Sequence, residues 1–306
     1  NITQNPRLYP NANHPRHGAL AFGNDTWISN AGYFSTDGQN WEAMSVIETF
    51  ENRIFGTVTI AGERFFFVDN NPYSNNPVKL WTWKAGSEFV LTHEFEAPVE
   101  PDAAFANGVY LFLEHDSDAI YRSTDALTWS RMPEVLSSAA LGYATTTEIR
   151  SRKVVAYDDG FLLLLGGVGF FSSPDGLNWK AVATNLSAHD SPLHLKYDGG
   201  LLVAHDGSRL WTAETPSTWT QVSGAPLTNI AQAVYSGSHL LVVGRDFRTS
   251  GLRHLAARDD GGHWTRAVLA TDESLRDLVT GNGFTLAGFD DDIWSARDGV
   301  GPPITP

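Results

Sequence analysis

Ser173-Pro174-Asp175-Gly176-Leu177-Asn178-Trp179 is a short turn that follows an apolar run, and its frame returns along the chain. It stands again as Ser35-Thr36-Asp37-Gly38-Gln39-Asn40-Trp41 and as Ser123-Thr124-Asp125-Ala126-Leu127-Thr128-Trp129. A longer copy runs from Ala257 through Asp259 to Trp264. Ala213 to Trp219 keeps only the frame, and Trp83 to Phe89 carries Phe where the others have Trp. A truncated copy, Ser295-Ala296-Arg297-Asp298-Gly299, comes last. Trp41, Trp129, Trp179, Trp219 and Trp264 are 88, 50, 40 and 45 residues apart, the first gap being two periods. Strand-like content repeating at this interval predicts four-stranded units arranged as a β-propeller.

Each repeat reads strand, turn, strand, turn, strand, box, strand. In the fourth, Lys153 to Tyr157 leads through Asp158-Asp159-Gly160 into Phe161 to Leu165, then Gly169 to Ser173, the box, and Trp179 to Ala183. The second strand is apolar on both faces, as expected between neighbouring blades. In the box, the Asp carboxylate and Ser hydroxyl are placed to accept backbone N–H groups at the hairpin tip. That gives Asp37, Asp125, Asp175, Asp259 and Asp298 a structural role rather than a catalytic one.

These turns resemble the Asp-box, or bacterial neuraminidase repeat, of the sialidase-like propellers, whose usual form is Ser-x-Asp-x-Gly-x-Thr-Trp. Three copies are one residue shorter, and the 257–264 copy has the full spacing. The resemblance extends over nearly the whole chain and implies the fold. The same repeat serves hydrolases, lyases, lectins and assembly factors, so function has to come from the site. Sialidases resemble one another in an aromatic-Arg-Ile/Leu-Pro segment ahead of the first box. Asn52-Arg53-Ile54-Phe55 lies after that box and lacks both the aromatic and the proline, so sialic-acid hydrolysis is not expected.

The chain has 306 residues and no Pro- or Gly-rich linker, which suggests one domain. The reading is an all-β, single seven-bladed propeller of four-stranded antiparallel blades, its ring closed by an N-terminal strand within 1–10. The repeats fall near 17–44, 55–95, 101–132, 152–183, 192–222, 229–268 and 275–301. A net charge of −14 without a Lys/Arg-rich run argues against nucleic acid and anionic membrane surfaces as partners. With no cysteine there is no disulfide framework, thiolate metal site or Cys nucleophile. No apolar run reaches the length of a spanning helix. The start at Asn1 and the Trp-rich repeats suggest a bacterial protein that is secreted or periplasmic. No cofactor motif stands out, and the histidine pairs His14/His17 and His189/His194 lack diagnostic metal spacing.

In a propeller, the loops entering each innermost strand converge on one face, where concave sites form. Titratable groups recur at these entries: Arg16 and His17, Arg53, Glu100 and Asp102, Arg150 and Arg152, His189, Asp190 and His194, then Arg276 and Asp277. Tyr73 lies in a long insertion between Asp69 and Lys79, and the loop from Pro133 to Ser151 is longer still. Arginine forks beside carboxylates suit a glycan or another small polar ligand, polyhydroxylated and in some cases anionic. An enzyme on the same mouth is the alternative. A glycoside hydrolase would pair Glu100 or Asp102 with Asp190 or Asp277. A polysaccharide lyase would set His194, His189 or Tyr73 beside Arg152 or Arg276. A non-catalytic scaffold for a protein partner is the third reading.

Overall fold

A computed structural model describes residues 2–4, 19–44, 57–69, 78–84, 87–95, 99–115, 117–143, 149, 151–158, 160–186, 194–245, 253–269, 275–289 and 293–297. Among them, all helix and strand structure is β except for one short helix, α1 (Ser138–Leu141). Strand β1 (Ile2–Gln4) comes first. The first blade is β2–β5 (Leu20–Gly23, Thr26–Ser29, Tyr33–Ser35, Glu42–Ala43). The second is β6–β9 (Thr57–Ala61, Arg64–Asp69, Val78–Trp83, Val90–Phe95). The third is β10–β13 (Val99–Ala106, Val109–Glu114, Ile120–Ser123, Ser130–Met132). The fourth is β14–β17 (Arg152–Tyr157, Gly160–Leu165, Gly169–Ser173, Lys180–Ala181). The fifth is β18–β21 (His194–Asp198, Leu201–His205, Leu210–Ala213, Thr220–Gln221). The sixth is β22–β25 (Asn229–Tyr235, Leu240–Arg245, Arg253–Arg258, Trp264–Leu269).

The remaining sheet is composite. It joins β26–β28 (Leu275–Gly281, Phe284–Phe289, Ile293–Arg297) to β1, with Ile2 opposite Ala296 and Gln4 opposite Trp294. The expected N-terminal strand does join the last sheet, but the expectation of a closed ring of seven blades is corrected. Among the described residues, six blades are built from four consecutive strands, the last sheet has three strands of its own run, and no sheet closes on itself. The physical reason is the truncated final repeat: no outer strand follows β28 among the described residues. The chain forms two compact units, Asn1–Ile54 with Asp198–Thr212 and Thr220–Pro306, and Phe55–Tyr197 with Ala213–Trp219.

Burial follows from strand position. The second strands β11 and β15 are buried at every residue, because apolar side chains on both faces meet a neighbouring sheet. In the second unit, Phe66, Phe112, Tyr121 and Trp129 join one core, and Leu111, Leu163, Phe171 and Trp179 another. In the first unit, Val203 packs with Ile230 and Val242, Val243 with Leu278 and Phe289, and Leu20 with Trp27 and Leu286.

Glycines mark where rings pass close to a neighbouring hairpin. A Cβ on Gly281 would lie 2.1 Å from Phe22, and one on Gly62 would lie 2.9 Å from Phe105. A side chain at either position would displace an aromatic ring set on an innermost strand.

The box turns are closed by their own side chains. Ser35 Oγ accepts the Gly38 N–H at 2.9 Å and donates to Asp37 Oδ1 at 3.0 Å. Asp37 Oδ1 accepts N–H groups from Gln39 and Asn40 at 2.8 and 2.7 Å. The same bonds recur from Leu127 and Thr128 to Asp125, and from Leu177 and Asn178 to Asp175. Backbone donors, the Asn40 N–H foremost for Asp37 and the Thr128 N–H for Asp125, bring both carboxyls down to about 2. Burial alone would raise Asp175, but the Asn178 and Leu177 donors outweigh it and lower this carboxyl too.

Candidate functional site

A polar cluster lies in the second unit, where β11 turns into β12 and the 133–143 segment leads towards β14. It starts from Glu114, the last residue of β11, only 4% exposed. Arg131 on β13 reaches across and donates to both its oxygens, from Nε at 2.6 Å and from Nη2 at 2.8 Å. This arginine, above all, holds the Glu114 carboxyl below its usual range; burial opposes the shift, and the Ser117 and Tyr121 hydroxyls add to it.

The pair fixes the corner that follows. The Glu114 N–H donates to the Ala119 carbonyl at 3.1 Å, and the Leu136 N–H donates to the Asp118 carbonyl at 2.8 Å. Asp118 is thereby held between two elements with its carboxylate 41% exposed. The 133–143 segment is anchored by Leu136, which is fully buried, and then turns through α1. Ser137 caps that helix by accepting the Ala140 N–H at 3.2 Å, and Gly142 ends it in a left-handed conformation. The Tyr143 hydroxyl then folds back to donate to the Leu136 carbonyl at 3.2 Å.

Arg152 opens β14 beside this corner. Its side chain is 13% exposed, and Nη2 is 3.6 Å from the Asp118 carboxylate. Burial raises the Tyr143 phenol, with the Asp118 charge adding to the rise and Arg152 opposing it. Both charges therefore act on that ring. Next to Arg152, Ser151 gives its carbonyl to the Gly166 N–H at 2.9 Å, while its Oγ is buried without a hydrogen-bond partner. A guanidinium, a carboxylate and a phenol thus interact where two blades of one unit meet, and the buried Ser151 hydroxyl belongs to the residue preceding Arg152. Such a set offers donors and acceptors to a polar ligand, with a fixed positive charge at its base.

The other expected site residues divide. Arg276 and Asp277 lie on β26 in the first unit, where the backbone is already engaged. The Gln232 side-chain amide donates to the Arg276 carbonyl at 3.0 Å and accepts the Leu278 N–H at 3.1 Å. Asp277 Oδ1 also accepts that N–H, at 2.9 Å. These bonds close a register shift between Leu275 and Asp277, where a bulge releases backbone groups. His194 is exposed at the start of β18 in the second unit. Glu100 and Asp102 fall on β10, but their side chains lie outside the described residues. Arg16, His17, Arg53, Tyr73, Arg150, His189, Asp190 and Asp298 are also outside them. Sequence reading singled out Arg152 but missed Asp118, Tyr143 and Ser151; the length of the 133–151 loop was a signal for the last two, and nothing signalled Asp118. Among the described residues, no group of three or more His, Cys, Asp and Glu could hold a metal ion, and no helix is long and apolar enough to cross a membrane.

No protein-family model matches the chain, and no curated protein matches it in sequence. Solved structures do resemble it in fold. A streptogramin B lyase superposes with a TM-score of 0.64 at 10% identity, over 96% of this chain and 96% of that one. Virginiamycin B lyase from Staphylococcus aureus with quinupristin gives 0.64 at 10% identity, over 96% and 98%. BamB from Moraxella catarrhalis gives 0.57 at 13% identity, over 97% and 100%. At these identities the likeness establishes the β-propeller fold alone.

Proposed function

We propose that the protein is a binding propeller, and that it recognises a polyhydroxylated, anionic ligand of the acidic-glycan class around Arg152. One observation carries the reading: in the second unit a largely buried arginine pairs with Asp118 and acts with it on Tyr143, and the residue before it, Ser151, holds a partnerless Oγ. The guanidinium suits a ligand carboxylate, while the hydroxyl and the Asp118 carboxylate suit sugar hydroxyls. Every carboxylate that is displaced from its ordinary range among the described residues is displaced downwards. That direction belongs to hydrogen-bond acceptors, not to proton donors working near neutrality. A secreted or periplasmic setting, where glycans are met, goes with this reading.

A glycan array followed by isothermal titration tests it. Arg152→Ala should weaken binding of acidic glycans tenfold or more, on the order of the loss of one charge-assisted bond. Arg276→Ala should bind as the parent does. Equal binding by the parent and Arg152→Ala would remove the site. New reducing ends, or an unsaturated product from a polysaccharide panel, would instead establish an enzyme. A protein scaffold is the second reading. It is favoured by two exposed leucines at matching positions of successive box turns, Leu127 at 42% and Leu177 at 38% exposure.

A further inference from the structure

Tyr157 and Tyr197 are near the ends of two innermost strands, β14 and β18, away from Arg152 at the start of β14. Their ring centroids are 6.4 Å apart and their planes stand at 81°, forming an aromatic corner that is only partly buried. Asp158 follows Tyr157 directly and is exposed. Its carboxylate accepts a hydrogen bond from the Tyr197 hydroxyl, which pushes that phenol up to about 12, with burial adding to the rise. Among the described residues, no Lys, Arg or His forms an ion pair with Asp158. The corner therefore sets two perpendicular tyrosine rings beside a carboxylate that no cation of the described residues pairs.

We propose that this corner is a second site, one that takes an organic cation: a primary or methylated ammonium group. Cations are attracted to aromatic faces within about 6 Å of the centroid. The Tyr197 hydroxyl, by donating to Asp158, makes its own ring more electron-rich and holds the carboxylate at the edge of the aromatic pair. A chain of net charge −14 raises the local concentration of cations around it. The site goes beyond the glycan reading and does not depend on Arg152.

Ligand-observed NMR with choline, beside its uncharged analogue 3,3-dimethylbutan-1-ol, tests the proposal. Saturable binding of choline is expected, with an upfield ring-current shift of its methyl signal that a purely structural tyrosine pair would not give. Tyr157→Leu should weaken it roughly two- to fivefold, the range for one ring at an exposed site. Asp158→Asn, which keeps shape and removes charge, should weaken it at least as much, and Arg152→Ala should leave it unchanged. Three results would each overturn the proposal: no saturable choline binding, equal binding of the neutral analogue, or unaltered binding by folded Tyr157→Leu and Asp158→Asn variants.

Discussion

Arg131→Ala is the most informative perturbation of the corner that sets Asp118 beside Arg152. The Glu114 side chain is 5% exposed, and both its oxygens receive Arg131 bonds at 2.6 and 2.8 Å. Removing the arginine leaves a buried carboxylate with hydroxyl donors but no compensating charge. Breaking a buried pair from one side costs about 3–5 kcal/mol. Because the Arg131 side chain is 40% exposed and solvent screens the pair, the low end, about 3 kcal/mol, is expected. Glu114→Gln instead keeps the side-chain shape and leaves an arginine that can turn towards water, so it should cost only about 1 kcal/mol.

The asymmetry has a pH signature. The folded-state pKa of Glu114 is lowered from 4.5, so its stabilisation is present above that value and is lost as pH falls through the folded value. The gap between the parent and Arg131→Ala should therefore be full near neutrality and close in acid. Urea denaturation followed by tryptophan fluorescence, at about pH 7 and about pH 4, measures both effects. Equal costs for the two variants, or a gap that does not change with pH, would refute the reasoning.

Other outcomes follow from the same geometry. Asp175→Ala removes the acceptor for two backbone N–H groups and the Asn178 amide, and should cost about 1–2 kcal/mol in chemical denaturation. Asp37 and Asp125, lowered from 3.8 to about 2, should contribute stability above the unfolded value and lose it as pH falls through about 2, which acid titration followed by circular dichroism would detect. Gly281→Ala sets a Cβ 2.1 Å from Phe22 and should destabilise by about 2 kcal/mol, whereas Gly283→Ala, with no atom near its Cβ, should show only backbone strain.

The strand order was legible because one turn type recurs with its own chemistry. The Ser hydroxyl and Asp carboxylate that close the 35–41, 123–129 and 173–179 turns are the residues that defined the repeat. The blade count was less legible. The truncated last repeat and its completion by an N-terminal strand could be read from the sequence, as the pairing of β1 with β28 shows. Counting that composite sheet as a seventh blade of a closed ring was not warranted by the repeat alone. Arg152 could be picked out from its place before a strand, but its neighbours come from the β11–β12 corner and the 133–143 segment. Their approach depends on a buried ion pair and a helix cap that no spacing announces. Asp277 shows the converse, since a carboxylate at an equivalent entry bonds its own backbone at a bulge.

The central claim is that Arg152 and its neighbours hold an anionic sugar. A crystal structure of the protein with a bound uronic-acid oligosaccharide tests it most directly. The account predicts a ligand carboxylate against the Arg152 guanidinium and a sugar hydroxyl within bonding distance of Ser151 Oγ. An oligosaccharide bound elsewhere, with Arg152 turned only to Asp118, would contradict it.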